Sequence, residues 1–170
     1  MTNVASRMIG FIAGSLVFLA AGSVARAACP IELAVYGDTQ SGGEIDFTPT
    51  GTSSATVTNS FRIILDNNVV LNGIVMWNEG VSRPNGALMY KCPEGDITGE
   101  ELAACTPWHG VIYTSDDKGK IGLLPAEGVE APKTLILPDL GPALRQSSTY
   151  GGSGFSKVPW DVFALKGCQE

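Results

Sequence analysis

The residues that could perform chemistry in this chain are one histidine, four cysteines and a surplus of carboxylates. His109 is the only histidine, so a mechanism that pairs an imidazole with a serine or a cysteine would have to use it. The serine within Gly151-Gly-Ser-Gly-Phe155 lacks the second glycine of a G-x-S-x-G nucleophile elbow, and no strand-to-helix pattern surrounds it. The sequence therefore does not indicate catalysis by a serine or cysteine nucleophile.

The four cysteines indicate disulfides rather than a metal site. An even number of cysteines in an exported chain suggests two bridges, although four cysteines allow three pairings. Proximity in the sequence favours Cys92–Cys105, which leaves Cys29 and Cys168 to join the two ends of the chain. No C-x-x-C occurs and a single histidine makes no second cluster, so we expect neither a zinc site nor a cofactor.

Carboxylates form two clusters, one between the middle cysteines and one at a turn: Glu94, Asp96, Glu100 and Glu101, and Asp116-Asp117. A glycoside hydrolase needs two carboxylates at a defined separation across a cleft, which leaves a small carboxylate-dependent hydrolase open as an alternative. The stretch Asp116–Lys120 lacks the D-x-[DN]-x-[DN]-G order of a calcium loop. The favoured interpretation is that both clusters belong to solvated turns and loops.

The N-terminal segment has the pattern of a signal peptide. Arg7 supplies a positive start, Ile9–Ala21 is an apolar run without charge, and Ala25-Arg-Ala27 is a small-x-small cleavage site. An acylated Cys29 would need a leucine-like residue where Arg26 stands. We expect cleavage after Ala27, a periplasmic or secreted protein, and no transmembrane segment after processing.

The charge balance limits the classes of partner. The formal net charge is −6, and removal of Arg7 and Arg26 with the signal segment makes the exported form more acidic still. An acidic chain without a basic stripe argues against binding to nucleic acid or to anionic membranes. Residues 28–170 are long enough for one domain with a core of its own, and no repeat or linker divides them.

A central hairpin organises the predicted fold. Phe61–Leu65 and Val69–Trp77 flank three residues with turn chemistry, and a three-residue loop sets Ile63 opposite Leu71. This register separates an apolar face from a polar one and leaves Asn68 left-handed at the end of the loop. It also predicts that the Trp77 side chain is buried in the core.

Strands on both sides of the hairpin complete an all-β fold. The first strand is predicted at Ile31–Tyr36, with Ile31, Leu33 and Val35 on one face. Others are predicted at 44–48, 87–91, 109–114, 120–124, 134–137 and 160–165, and 109–114 and 120–124 are expected to form a second hairpin. Short helical turns are predicted after the capping box Thr98–Glu101 and at Asp139–Arg145.

About nine short strands with regular turn signals indicate a small antiparallel barrel or sandwich that carries one or two helical turns and two disulfides. A closed barrel is slightly favoured. Joining the two ends of the chain would place the first and last strands side by side and leave no free edge.

One segment of the tail carries a family resemblance. Ser153-Gly-Phe-Ser156, followed by Phe163-Ala-Leu-Lys-Gly167 near the last cysteine, resembles the exported bacterial inhibitors of C-type lysozyme. Those proteins are small disulfide-tied β-barrels that present a Ser-Gly loop and a Lys-Gly segment to the lysozyme cleft. The resemblance implies that Ser153 and Lys166 would be the inserted pair. This chain departs from the pattern because it is longer and has an additional disulfide loop.

Binding rather than catalysis is the function that these patterns favour. Trp77, Trp108 and Trp160 could line a sugar-binding groove, and Trp108 joins Ser153 and Lys166 as a candidate binding residue. The expected protein is an exported, non-enzymatic binding or interaction domain of a bacterial-type envelope. Its partner would be an envelope or secreted protein or a glycan. A lysozyme-inhibitor-like periplasmic protein and a small hydrolase are the alternatives.

Overall fold

A computed structural model describes residues 29–51, 56–77, 80, 82–152 and 154–169. The predicted signal segment, 1–27, lies outside the described residues, and so does Ser153.

Ten antiparallel strands form one curled half-barrel sheet in the described part of the chain. The strands are β1 (Ala34–Gly37), β2 (Glu44–Thr48), β3 (Val57–Ile64), β4 (Val70–Met76), β5 (Asn85–Met89), β6 (Trp108–Gly110), β7 (Tyr113–Ser115), β8 (Ile121–Leu123), β9 (Thr134–Ile136) and β10 (Val162–Cys168). Two short helices, α1 (Gly99–Ala104) and α2 (Leu140–Gln146), and 3₁₀ turns at Ile31–Leu33 and Asp66–Asn68 accompany them. The all-β class, the few helical turns and the two disulfides are confirmed.

The first and last strands lie side by side in the middle of the sheet. The strand order is β6-β5-β4-β3-β2-β1-β10-β9-β7-β8, so the β1–β10 ladder joins the six N-terminal strands to the four C-terminal ones. The Cys29–Cys168 disulfide fastens the end of this ladder, with 5.7 Å between the Cα atoms. The second disulfide is Cys92–Cys105, as the sequence predicts.

The sheet curls without being sealed by strand pairing. Among the described strands, β6 pairs with β5 alone and β8 with β7 alone, so the expectation of a sheet without edges is wrong. The chain nevertheless passes from β6 to β7 through only Val111 and Ile112. Gly110 and Tyr113 can then be at most about 11 Å apart, which brings the two ends of the sheet close together.

The stretch predicted as one strand at 109–114 is therefore divided between the two ends of the sheet. Its first part pairs with β5, and its last part pairs with β8 and β9. The predicted pairing with 120–124 is confirmed for β7 only. Ile112, between the two parts, is buried in the core.

The central hairpin has the predicted register. Ile63 lies opposite Leu71, the loop is Asp66–Asn68, and Asn68 is left-handed with φ 56°. Gly73 belongs to the buried face, where the ring of Phe61 fills the space that a side chain would need, so an added Cβ would overlap this ring. A larger residue at position 73 would displace this ring from the core.

Two predictions about which side chains are buried are wrong, each for a local geometric reason. Ile31–Leu33 forms a 3₁₀ turn before β1, which shifts the alternation by one residue, so Ala34 and Tyr36 are buried instead of Leu33 and Val35. Trp77 lies just beyond the end of β4 and is 48 % exposed, although the alternation of side chains along β4 would place it on the buried face. The core tryptophan is Trp108, which is 3 % exposed.

Exchanging the two tryptophans for alanine tests this assignment. Trp108→Ala removes a buried ring and leaves the Pro138 carbonyl without its indole N–H donor at 2.9 Å, so we expect a loss of about 3–5 kcal/mol in the free energy of unfolding. Trp77→Ala removes a half-exposed ring and should cost about 1 kcal/mol or less. Urea unfolding of the oxidised proteins measures both. An equal loss for the two variants would contradict the assignment.

Candidate functional site

Lys166 lies at an irregularity of the β1–β10 ladder. Val35 pairs with Gly167 and Tyr36 with Leu165, so Lys166 is an extra residue in β10, as in a β-bulge. Its aliphatic stem covers Gly37, and its ammonium group forms an ion pair with Glu44. Lys166 lines a hollow together with residues of β1, of the turn that follows it and of β10, whereas its predicted partner Ser153 lies outside the described residues.

A hollow of about 740 Å³ is lined in part by residues 147–152 and by Gly154. The loop closed by Cys92–Cys105 forms one wall, with Tyr90 and Lys91, and the 147–152 loop with Gly154 forms the other. Hydrogen bonds close the second loop on itself, including Gly151 N–H to the Phe155 carbonyl at 2.9 Å.

The ring of Trp108 is buried and lines none of these hollows. It is buried at the start of β6, and its indole N–H donates to the Pro138 carbonyl. His109, the next residue, is exposed on the same strand. Within the described part of the chain, no group of three or more metal-ligating side chains is close enough to hold a metal ion.

Three acidic residues share a third hollow of about 470 Å³: Asp116, Asp117 and Glu130, beside Lys133. All three are exposed. One carboxylate oxygen of Asp116 accepts hydrogen bonds from the backbone amides of Lys118 and Lys120, at 2.8 and 2.9 Å. Asp116 therefore stabilises the β7–β8 turn, in agreement with the structural role expected for this cluster.

A fourth hollow, of about 410 Å³, displays the most exposed tryptophan of the described chain. Trp160 is 58 % exposed and lies beside Arg145 of α2. The lining residues are Gln40, Gly141, Pro142, Arg145, Gln146, Val158, Pro159 and Trp160. We call this surface the Trp160 hollow. Its walls come from the turn after β1, from α2 and from residues 156–161, the irregular segment that precedes β10.

The carboxylate of Asp38 joins two of these walls. It accepts hydrogen bonds from the backbone amides of Gln40 at 3.1 Å and Ser41 at 2.8 Å, and from the Ser41 hydroxyl. The backbone amide of Trp160 also interacts favourably with it. Burial alone would raise the pKa of Asp38, but the hydrogen bonds together hold it below its ordinary value. This buried carboxylate therefore fixes the turn that contains Gln40, and it attracts the backbone amide of Trp160.

Asp161 joins the third wall. Its carboxylate accepts hydrogen bonds from the amides of Asp139 at 2.9 Å and Gly141 at 3.3 Å, at the start of α2. The helix also packs very closely on the segment, because a Cβ on Gly141 would lie 2.7 Å from the Pro159 carbonyl oxygen. Only glycine allows this approach.

Asp66, in the turn of the central hairpin, holds the beginning of the same segment. It accepts hydrogen bonds from the Ser156 hydroxyl at 2.6 Å, the Ser156 amide at 3.0 Å and the Lys157 amide at 3.2 Å. The Ser156 hydroxyl is the largest of the causes that lower the pKa of Asp66. The irregular segment is thus held by Asp66, Asp38 and Asp161 in place of a sheet ladder.

The polar groups of the Trp160 hollow are suited to binding. Gln40, Arg145 and Gln146 are exposed, and no ion pair of Arg145 is recorded among the described residues. Amides donate and accept hydrogen bonds, and a guanidinium donates in a planar fork. From the sequence, Trp160 was only one of three tryptophans that could line a sugar-binding groove. No sequence pattern indicated that Gln40 and Arg145 share a site, because the fold brings them together from positions more than a hundred residues apart.

No protein-family model matches the chain, and searches of curated proteins and of solved structures return no match. None of the helices in the described ranges has the length and apolar character needed to cross a bilayer.

Replacing Asp66 tests how the irregular segment is held. The pKa of Asp66 lies below its ordinary value of 3.8 in the folded protein, so the charged carboxylate stabilises the fold. This contribution is complete above the unfolded pKa and is lost as the pH falls through the folded one. Asp66→Asn should therefore be less stable than the wild type at neutral pH, and the difference should shrink as the pH falls from about 4 to about 2.

Thermal unfolding across this pH range measures the difference. Asp117→Asn is the control, because Asp117 is an exposed turn aspartate for which the described contacts include no hydrogen bond. A stability difference for Asp66→Asn that stays constant down to pH 2 would contradict the role of the charged carboxylate.

Proposed function

We propose that this chain is an exported, non-enzymatic binding protein and that the Trp160 hollow is its ligand site. Export is supported by the predicted signal peptide together with the two disulfides, Cys29–Cys168 and Cys92–Cys105. The ligand classes that follow from this location are an envelope glycan and an envelope or secreted protein.

The observation that carries the proposal is the rigid display of Trp160. An exposed tryptophan on a loose loop would lose conformational freedom on binding, which weakens affinity. Here Asp161 ties the residue after Trp160 to the start of α2, and Asp66 holds Ser156 and Lys157 earlier in the segment, before any ligand arrives. Preorganised tryptophans in a concave surface are among the residues that contribute most to binding energy.

The chemistry of the hollow favours binding over catalysis. Arginine stays protonated at all ordinary pH values, and glutamine and tryptophan side chains do not titrate. Arg145, Gln40 and Gln146 can therefore orient a ligand but cannot exchange protons with it as a general acid or base.

The two alternatives gain no particular support. The hydrolase would use the hollow of Asp116, Asp117 and Glu130, where the turn amides already occupy Asp116. The lysozyme-inhibitor function would use Lys166, whose ammonium group already forms an ion pair with Glu44. Both remain hypotheses from the sequence.

The proposal is tested by comparing Trp160→Ala with Trp77→Ala, since both rings are about equally exposed and only Trp160 belongs to the hollow. Immobilised mature protein is presented with envelope glycans and envelope proteins, and the affinity for each retained ligand is measured by calorimetry. Trp160→Ala should lose about 2 kcal/mol, a loss of roughly 30-fold, while Trp77→Ala binds like the wild type. Unchanged affinity in Trp160→Ala would refute the site.

A further inference from the structure

The Trp160 hollow has a positive charge that the described protein leaves uncompensated. Of the described arginines, Arg62 forms an ion pair with Asp46, and Arg83 donates to the Tyr113 hydroxyl at 2.6 Å and lies over its ring. For Arg145, no ion pair or hydrogen bond is recorded in the described part of the chain.

The carboxylates of Asp38 and Asp161, close to the hollow, accept hydrogen bonds from backbone amides. Asp38 accepts hydrogen bonds from the turn after β1, and Asp161 accepts them from the start of α2. Both therefore hold the walls of the hollow and are directed to backbone amides. Arg145 is left to bind an anionic group from outside, and its planar fork matches a carboxylate in two parallel hydrogen bonds.

The rest of the lining matches a sugar. Trp160, Pro142 and Pro159 contribute apolar surface to the lining, and an indole ring can pack against the C–H face of a pyranose ring. The amides of Gln40 and Gln146 both donate and accept, as sugar hydroxyls do. A volume of about 410 Å³ is within the range of small-ligand sites.

A peptide fits this surface less well. Extended peptides gain affinity from main-chain hydrogen bonds along a sheet edge or from several apolar anchors along a groove. The walls of the hollow are a turn, a short helix and an irregular segment, and the end strands β6 and β8 contribute none of its lining residues.

From these observations, which rest on the proposed binding function, we infer that the Trp160 hollow recognises an anionic sugar unit of a glycan. Trp160 stacks on the ring, Gln40 and Gln146 bind its hydroxyls, and Arg145 pairs with its negative group. A carboxylate and a sulfate share this chemistry, and the probes below distinguish them.

The test uses the mature oxidised protein and three tetrasaccharide probes: tetragalacturonic acid, its fully methyl-esterified form, and a sulfated neutral tetrasaccharide. Affinities are measured by calorimetry and by the change in tryptophan fluorescence on binding. The wild type should bind tetragalacturonic acid about tenfold or more tightly than the ester, because the ester keeps the ring and loses the charge. Tighter binding of the sulfated probe than of tetragalacturonic acid would also support an anionic sugar and would identify a sulfate as the negative group.

Three variants assign the effect to residues. Arg145→Gln should bind acid and ester with equal affinity, while its melting temperature stays that of the wild type. Lys133→Gln removes a positive charge from a different hollow and should keep the full preference for the acid. Trp160→Ala should bind neither tetragalacturonic acid nor its methyl ester.

The outcomes separate this inference from the proposed function. Equal binding of acid and ester by the wild type, or a preference retained in Arg145→Gln, overturns the anionic-sugar inference and leaves a Trp160-dependent binding site in place. If none of the three probes binds but a protein is retained by the wild type and not by Trp160→Ala, the anionic-sugar inference is also overturned and the Trp160-dependent binding site remains. Binding of any ligand that Trp160→Ala does not weaken overturns both.

Discussion

The pairing of the first strand with the last is the constraint on which the rest of the structure depends. The β1–β10 ladder is the hydrogen-bonded strand pairing that connects the N-terminal six strands to the C-terminal four, and Cys29–Cys168 fastens it. A bond that closes nearly the whole chain lowers the conformational entropy of the unfolded state, which stabilises the fold by about 4–5 kcal/mol on the chain-entropy model. The same ladder sets the position of the irregular segment that leads into β10.

That segment connects the fold to the proposed function. It has no regular secondary structure, yet carboxylates from the turn after β1, from the central hairpin and from its own end determine its course. Asp38 lies directly after β1 and Trp160 shortly before β10, so the pairing of these two strands brings the two residues together. The display of Trp160 is thus a consequence of how the ends of the chain are joined.

Local and patterned features were predictable from the sequence. The register of the central hairpin follows from its apolar face, the capping box at Thr98–Glu101 from its residue types, and the disulfides from the number and spacing of the cysteines. Features that depend on distant parts of the chain were not. Periodicity cannot show that the strand predicted at 109–114 bends from one end of the sheet to the other. Parity likewise cannot show that Trp77 lies beyond the end of β4. The Trp160 hollow combines three segments and has no sequence signature.

Disulfide mapping tests the joining of the two ends most directly. Trypsin does not cut between Cys92 and Cys105, because the nearest basic residues are Lys91 and Lys118. Under non-reducing conditions, mass spectrometry should find the peptide 92–118 with an internal bridge. The peptide that carries Cys29 and ends at Arg62 should be linked to the tail 167–170. A Cys92 peptide linked to either terminal peptide would contradict the central position of the β1–β10 ladder and the placement of Trp160 that follows from it.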